Sequence, residues 1–252
     1  MNARHVSYKG FQFYVPEPDE EAASVDEVGM QHWFDHSLRS TLTYAEQVWH
    51  VNKFITETNL SILEVFCGFG MSTVTIDSSR IEKHVAFDHD DACCEAFQFL
   101  RPDADVIITD SYVATTIATK IYQFDCVYLE FNSMTTYRAM QDPNELALIE
   151  AVLNSEPRYV IFVDSAKVKE HLHRATYSKF FDFGIDSSEG YVRAVEHYFI
   201  THYGYRMAAC AHDHINYTFL LKKGTDLTPC EIVDTRQLVQ IDQFKDLGYV
   251  EI

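Results

Sequence analysis

Three carboxylates, Glu64, Asp88 and Asp110, each stand at or just past the close of a short apolar run. Between the first two lies Cys67-Gly68-Phe69-Gly70, where two glycines sit one residue apart. Glycine suits places where backbone must approach a ligand closely or take positive φ. A carboxylate accepts two hydrogen bonds at once, so Asp88, twenty residues beyond Gly68, suits the vicinal diol of a ribose. The plainer role for Asp88 and Asp110 is helix capping, because a helical pattern follows each.

The glycine turn has three nucleotide readings. A phosphate-cradling P-loop requires Lys and then Ser or Thr after its last glycine, and Met71-Ser72 stand there instead. A pyrophosphate turn requires G-x-G-x-x-G or Ala, and Thr73 holds the third place. The third reading rests on Glu64, whose charge repels a pyrophosphate but can hold a cationic or neutral ligand.

These residues need elements to position them. Apolar runs at 60–66, 84–88, 105–109, 124–131 and 158–164 read as strands. Helical patterns at 71–79, 91–100, 111–122 and 143–155 alternate with them, the last opening on Pro143. This alternation implies a parallel sheet covered on both faces. A helix at 187–204, closed by Gly204, then precedes strand runs at 205–213 and 216–223. Only His214 and Ile215 separate those two runs, so they pair antiparallel. Residues 1–59 read as an N-terminal extension with a helix at 37–56, residues 60–223 as the main domain, and residues 224–252 as a weak acidic tail.

Composition narrows the class. The chain has 252 residues, 47% of them hydrophobic, with nine Gly and six Pro, as a packed globular protein should. No apolar run is long enough for a membrane span, and the first residues lack a secretory pattern, so a cytoplasmic location is expected. The six cysteines show no CxxC spacing, which points to reduced thiols; Cys126, inside a strand run, reads as core. The pairs His171/His173 and His212/His214 have no Cys or acidic partner at ligand spacing, so no metal site is expected. A net charge of −18 disfavours sequence-independent nucleic-acid binding.

With these residues in place, "EVFCGFG" resembles motif I of class I S-adenosylmethionine-dependent methyltransferases. Nucleic-acid methyltransferases often read Asp-x-Phe-x-Gly-x-Gly there, and Glu64 replaces the Asp. The resemblance covers about residues 60–223, terminal hairpin included. It implies an α/β Rossmann-like methyltransferase fold: a seven-stranded, mostly parallel sheet of order 3-2-1-4-5-7-6. It further implies S-adenosyl-L-methionine as cofactor, bound by Glu64, Cys67, Gly68, Gly70, Asp88, His89, Asp110 and Ser111. Asp110 and Ser111 would meet the adenine amino group, and His89 the adenine face.

The acceptor is less legible. In such enzymes it meets the cofactor after the fourth strand, where this chain reads "LEFNSMTTYR". The Asn-or-Asp-Pro-Pro-aromatic pattern of amine-directed enzymes and the Pro-Cys of cytosine-C5 enzymes are both missing. Glu130, Asn132 and Tyr137 are the candidates for aligning the acceptor or taking its proton. Lys167 and Lys169 can meet an anionic substrate or simply be solvated, and Trp33, Phe34, Tyr44 and Trp49 can roof the site or fill the core. The motif variant points to nucleic acid, the charge to a small molecule or a protein. A degenerate, non-catalytic binding or assembly protein on this fold is the alternative reading. An NAD-dependent oxidoreductase fits less well.

Overall fold

The computed structural model describes residues 2–16, 27–70, 75–129, 143–165, 188–213, 216–224 and 229–251. The strand runs read from the sequence are β3 (Leu60–Val65), β4 (Ile81–Asp88), β5 (Asp105–Ile108), β6 (Cys126–Leu129), β7 (Tyr159–Ser165), β8 (Tyr205–His212) and β9 (Asn216–Lys223). One strand more, β10 (Glu231–Asp234), joins them in an eight-stranded sheet ordered β10-β8-β9-β7-β6-β3-β4-β5. β3 to β7 run parallel. β9 lies antiparallel to both β7 and β8, as the short 213–215 connection requires. β10 pairs parallel to β8 at the edge. The seven-strand expectation is therefore one strand short, because "EIVD" is brief, half-buried and set in acidic sequence.

Helices cover both faces, and the residues that β3, β6 and β7 bury are hydrophobic apart from Glu64. On one face α3 (Ser111–Ile121), α4 (Pro143–Asn154) and α5 (Ser188–Tyr203) bury Ala118, Leu148, Val152, Val192 and Phe199 against Leu63, Val65, Val127 and Phe162. Truncating a fully buried member such as Leu148 to Ala should cost about 2–5 kcal/mol. Gly204 ends α5 with φ +70° and its N–H donating to Ile200 O, the left-handed close expected of it. The opposite face meets α2 (Asp91–Leu100) and the end of α1 (Glu27–Asn52).

α1 starts earlier and stops sooner than the 37–56 reading. Its stop coincides with Asn52, whose side chain accepts from Tyr128 Oη at 2.8 Å and donates to Thr75 Oγ1 at 2.6 Å. One flank of α1 packs on β8 and β9, where Thr218 Oγ1 donates to Gln47 at 2.9 Å. The other flank buries Leu38, Leu42 and Ala45 under a second, three-stranded sheet. This sheet, of order β11-β1-β2, is antiparallel and joins β1 (Asn2–Tyr8), β2 (Phe11–Pro16) and β11 (Phe244–Glu251). The stretch 224–252 is thus no plain tail: it supplies a strand to each sheet. Lys9 and Gly10, with φ of +52° and +85°, close the β1–β2 hairpin in the geometry of a two-residue turn.

The helix expected over 71–79 is a further correction. Residues 71–74 lie outside the described residues, and 75–77 form a turn and a bend before a single 3-10 turn at Ser78–Arg80. Asp77 accepts from Ser79 N–H at 2.9 Å, and Arg80 reaches the carbonyls of Ile55 and Glu57. Short polar side chains that bond nearby backbone favour such turns over a helix. Among the described residues, no helix is long and apolar enough to cross a membrane.

Candidate functional site

The sheet order turns back at β3, with β4 and β5 on one side and β6 and β7 on the other. Open α/β sheets bind ligands in the crevice beyond the strand ends at such a switch. Here that crevice is framed by the chain leaving β3 at Val65, β4 at Asp88 and β5 at Ile108.

The exit from β3 is a tight turn. Gly70 N–H donates to Cys67 O at 2.9 Å, and Cys67 N–H donates to Phe87 O at 3.0 Å. Phe66, Gly68 and Gly70 take φ of +59°, +47° and +78°. Such a φ costs a non-glycine residue about 1–2 kcal/mol. The Phe66 ring, 5.2 Å from that of Tyr112 and edge-on to it, holds the conformation in place. At Gly70 a Cβ would stand 3.0 Å from a ring carbon of Phe97, so α2 packs where only glycine leaves room. Cys67 is fully buried in that contact, and Phe69 packs with Ala3, Tyr14 and Ala96, which braces the turn with the small sheet.

Asp88 is 6% exposed and ties the turn to β4. Its Oδ2 accepts from Gly68 N–H at 3.0 Å, and its Oδ1 from the N–H groups of His89 and Asp90 at 2.7 and 3.1 Å. Capping of α2 falls to Asp90, which accepts from Ala92 and Cys93. A carboxylate offers about four lone-pair positions, so Asp88 has room for one further donor, on Oδ2. The His89 side chain is 82% exposed, with Nδ1 3.2 Å from Asp88 Oδ1.

Asp110 does cap its helix: one carboxylate oxygen accepts from Tyr112 and Val113 N–H at 2.9 and 3.2 Å. The other has no hydrogen bond among the described residues and faces an exposed position. Beside it, Ser111 is 2% exposed, and its Oγ has no hydrogen-bond partner among the described residues. Thr115, one turn further and on the same helix face, also buries a hydroxyl without a partner. Leaving such a group unsatisfied costs about 1–3 kcal/mol, so a buried orphan calls for a partner, either a water or a ligand atom.

Glu64 is not at the open crevice. It is fully buried, and His84 Nε2 stands 3.1 Å from its Oε2. Burial pushes the Arg101 guanidinium below its ordinary value, and the Glu64 carboxylate offsets part of that. Arg101 also donates to Ile76 O at 2.7 Å, on the segment that follows the turn. His84 and Arg101 escaped the sequence reading, although His84 is the polar residue that opens the run "HVAFD".

Glu130, Asn132, Tyr137, Lys167, Lys169, His171, His173 and His214 lie outside the described residues, as do the side chains of Trp33 and Phe34. β6 delivers its last residue, Leu129, opposite Val65, the last residue of β3 before the glycine turn. Tyr44 is half-buried, and Trp49 lies between the ammonium groups of Lys9 and Lys53, 4.5 and 3.3 Å from its ring centre. Cys126 is fully buried, and burial pushes its thiol well above the ordinary range, as a core role requires.

No protein-family model matches the chain, and no curated protein matches it. Solved structures do. The chain is similar to magnesium protoporphyrin IX methyltransferase from Synechocystis PCC 6803 with bound SAM. Identity is 10%, 79% of this chain and 85% of that chain are covered, and the TM-score is 0.49. It is similar to the plantazolicin methyltransferase in complex with a monoazolic desmethyl analog and SAH, at 12% identity, 81% and 93% coverage and a TM-score of 0.45. Aeropyrum pernix fibrillarin with natively bound S-adenosyl-L-methionine matches at 13% identity, 66% and 67% coverage and a TM-score of 0.43.

Proposed function

We propose that the chain is a methyltransferase that uses S-adenosyl-L-methionine. The observation that carries this reading is the convergence of the positive-φ glycine turn with Asp88 and with Asp110-Ser111 at three adjacent strand ends. Such a crevice offers backbone for close approach, a carboxylate for a ribose hydroxyl, and a carboxylate with a hydroxyl for an adenine edge. The partnerless Ser111 Oγ is the test of fit: a buried hydroxyl needs a polar partner, and an adenine nitrogen provides one. When bound, the cofactor supplies an electrophilic methyl group on its sulfonium.

The chain's own residues then have these roles. Gly68 and Gly70 let backbone approach the ligand, and Cys67 anchors the turn from below. Asp88 holds the turn through Gly68 and offers Oδ2 to one ribose hydroxyl. His89, exposed beside it, can cover the adenine. Asp110 and Ser111 receive the adenine edge. Glu64 is a positioning residue that acts through His84 and Arg101. Glu130, Asn132 and Tyr137, which follow β6, align the acceptor or take its proton, because in-line transfer to a sulfonium-borne methyl depends mainly on alignment. The charge of −18 favours a neutral or cationic acceptor, a small molecule or a protein, over a polyanion.

The test has two arms. Titration calorimetry with S-adenosylmethionine, S-adenosylhomocysteine and NAD reads the cofactor: binding of NAD alone would reject the proposal. Radiolabelled methyl transfer into separated metabolite, protein, RNA and DNA pools reads the acceptor. Label should enter the metabolite or protein pool, and label confined to nucleic acid would reverse the acceptor assignment.

A further inference from the structure

β5 is the last strand of the large sheet, and its outer edge pairs with no described strand. Beside it α3 keeps an apolar stripe outside: Val113, Ile117 and Ile121 at spacings of four. With Ile107 and Tyr122 these residues are 47–65% exposed. Ile107, Ala118, Tyr122 and Lys83 line one concavity between helix and edge, with the Lys83 ammonium 3.6 Å from the Tyr122 ring centre. These five apolar residues expose on the order of 500 Å², in the upper part of the range for a monomer's largest apolar patch.

The charge on this face is also unusual for the chain. "SYVATTIATKIYQF", residues 111–124, has no Asp or Glu, in a sequence that has 38 of them. Two copies with a net charge of −18 repel through most of their surfaces, but least through this one, where Asp105 is the acidic residue of the concavity and is offset by Lys83. The stripe is also self-complementary. A two-fold axis at Ile117 would run two α3 helices antiparallel, with Ile117 against Ile117 of the second copy. Val113 would then meet Ile121 of the second copy, and the reverse. An ordinary stable interface takes roughly 800 Å² from each partner, of which about 60% is apolar, and this patch supplies an apolar area of that order.

We infer that this α3–β5 face is the two-fold interface of a homodimer. Ile117 is its centre, Tyr122 its aromatic anchor, and Lys83 and Lys120 its rim. The pairing is separate from the proposed cofactor role and stands or falls without it.

Sedimentation equilibrium of the full chain tests it over roughly 1–100 µM, the range in which an interface of this size should populate a dimer. The expected mass is twice 29.1 kDa. Ile117→Glu would place two carboxylates on the axis and should raise the dissociation constant about 100-fold or more. Its circular dichroism spectrum should stay that of the folded wild type, because the side chain is half-exposed in one copy, while its melting temperature should lose what dimer formation adds. Leu247→Glu, on the exposed side of β11, should leave the dimer intact. A 29.1 kDa species across the whole range would overturn the inference and leave the face to a different protein. So would a dimer that Ile117→Glu does not weaken.

Discussion

Gly68 N–H donates to Asp88 Oδ2 at 3.0 Å, so the turn after β3 and the end of β4 form one hydrogen-bonded unit. Asp88→Ala should therefore do two things. It removes an acceptor from the ribose, which should weaken S-adenosylhomocysteine binding by about 1.5–3 kcal/mol. It also leaves three backbone N–H groups without their acceptor, which should lower the urea midpoint. Calorimetry and denaturation read the two effects separately, and unchanged affinity would remove Asp88 from the binding residues.

Asp110 can be divided the same way, because capping and ligand contact use different oxygens. Asp110→Asn keeps a good cap and should stay within about 0.5 kcal/mol of wild type in stability. Its affinity for S-adenosylhomocysteine should nevertheless fall several-fold. Asp110→Ala should lose the cap as well, about 1 kcal/mol. If the Asn variant binds like wild type, Asp110 serves only as the cap of α3.

Glu64→Leu leaves His84 without the carboxylate beside it and Arg101 without the carboxylate that most offsets its burial, both in the interior. Breaking a buried charged arrangement on one side costs about 3 kcal/mol or more. Urea denaturation should show this loss directly. A variant of wild-type stability that no longer binds cofactor would instead make Glu64 a direct ligand contact.

Glu46 makes the fold acid-sensitive. Burial pushes its carboxyl pKa up, but His50, Lys9 and Tyr8 donate to it and outweigh burial, so the pKa is lowered overall. A carboxyl depressed in the folded state contributes its full stability above the unfolded value of 4.5 and loses it as pH falls through the folded value. The stability difference between wild type and Glu46→Gln should thus shrink as pH is lowered from about 6 to about 3. Urea midpoints across that range test it, and a constant difference would mean the carboxylate is not the sensitive group.

Elements with a strong local pattern were legible from sequence. α2 has Asp90 to cap it and apolar residues at helical spacing, and the β8–β9 connection is too short for anything but a hairpin. β10 and β11 were not, because "EIVD" and "FKDLGYVE" mix charge into short strands whose partners are distant. In the site, the strand-end carboxylates could be located but not their bonding. Sequence could place Asp88 at the end of β4. It could not show that Gly68, His89 and Asp90 already occupy most of its lone pairs. Nor could it show that Glu64 is fully buried with its carboxylate against His84. Such partners are chosen by side-chain direction across neighbouring strands, which no local spacing encodes.

The small sheet has a consequence for the order of assembly. β1 is its middle strand, and Arg4 on β1 bonds Asp246 on β11, 242 residues away. Until β11 has been synthesised, only the hairpin partner β2 is available to β1, and a two-stranded hairpin is marginal alone. Loop closure over such a span makes the pairing a late event. Because Phe69 rests on Ala3 and Tyr14 of that sheet, the glycine turn receives its outer brace only at this last stage. A nascent chain stalled before β11 would carry the whole motif and still hold it loosely.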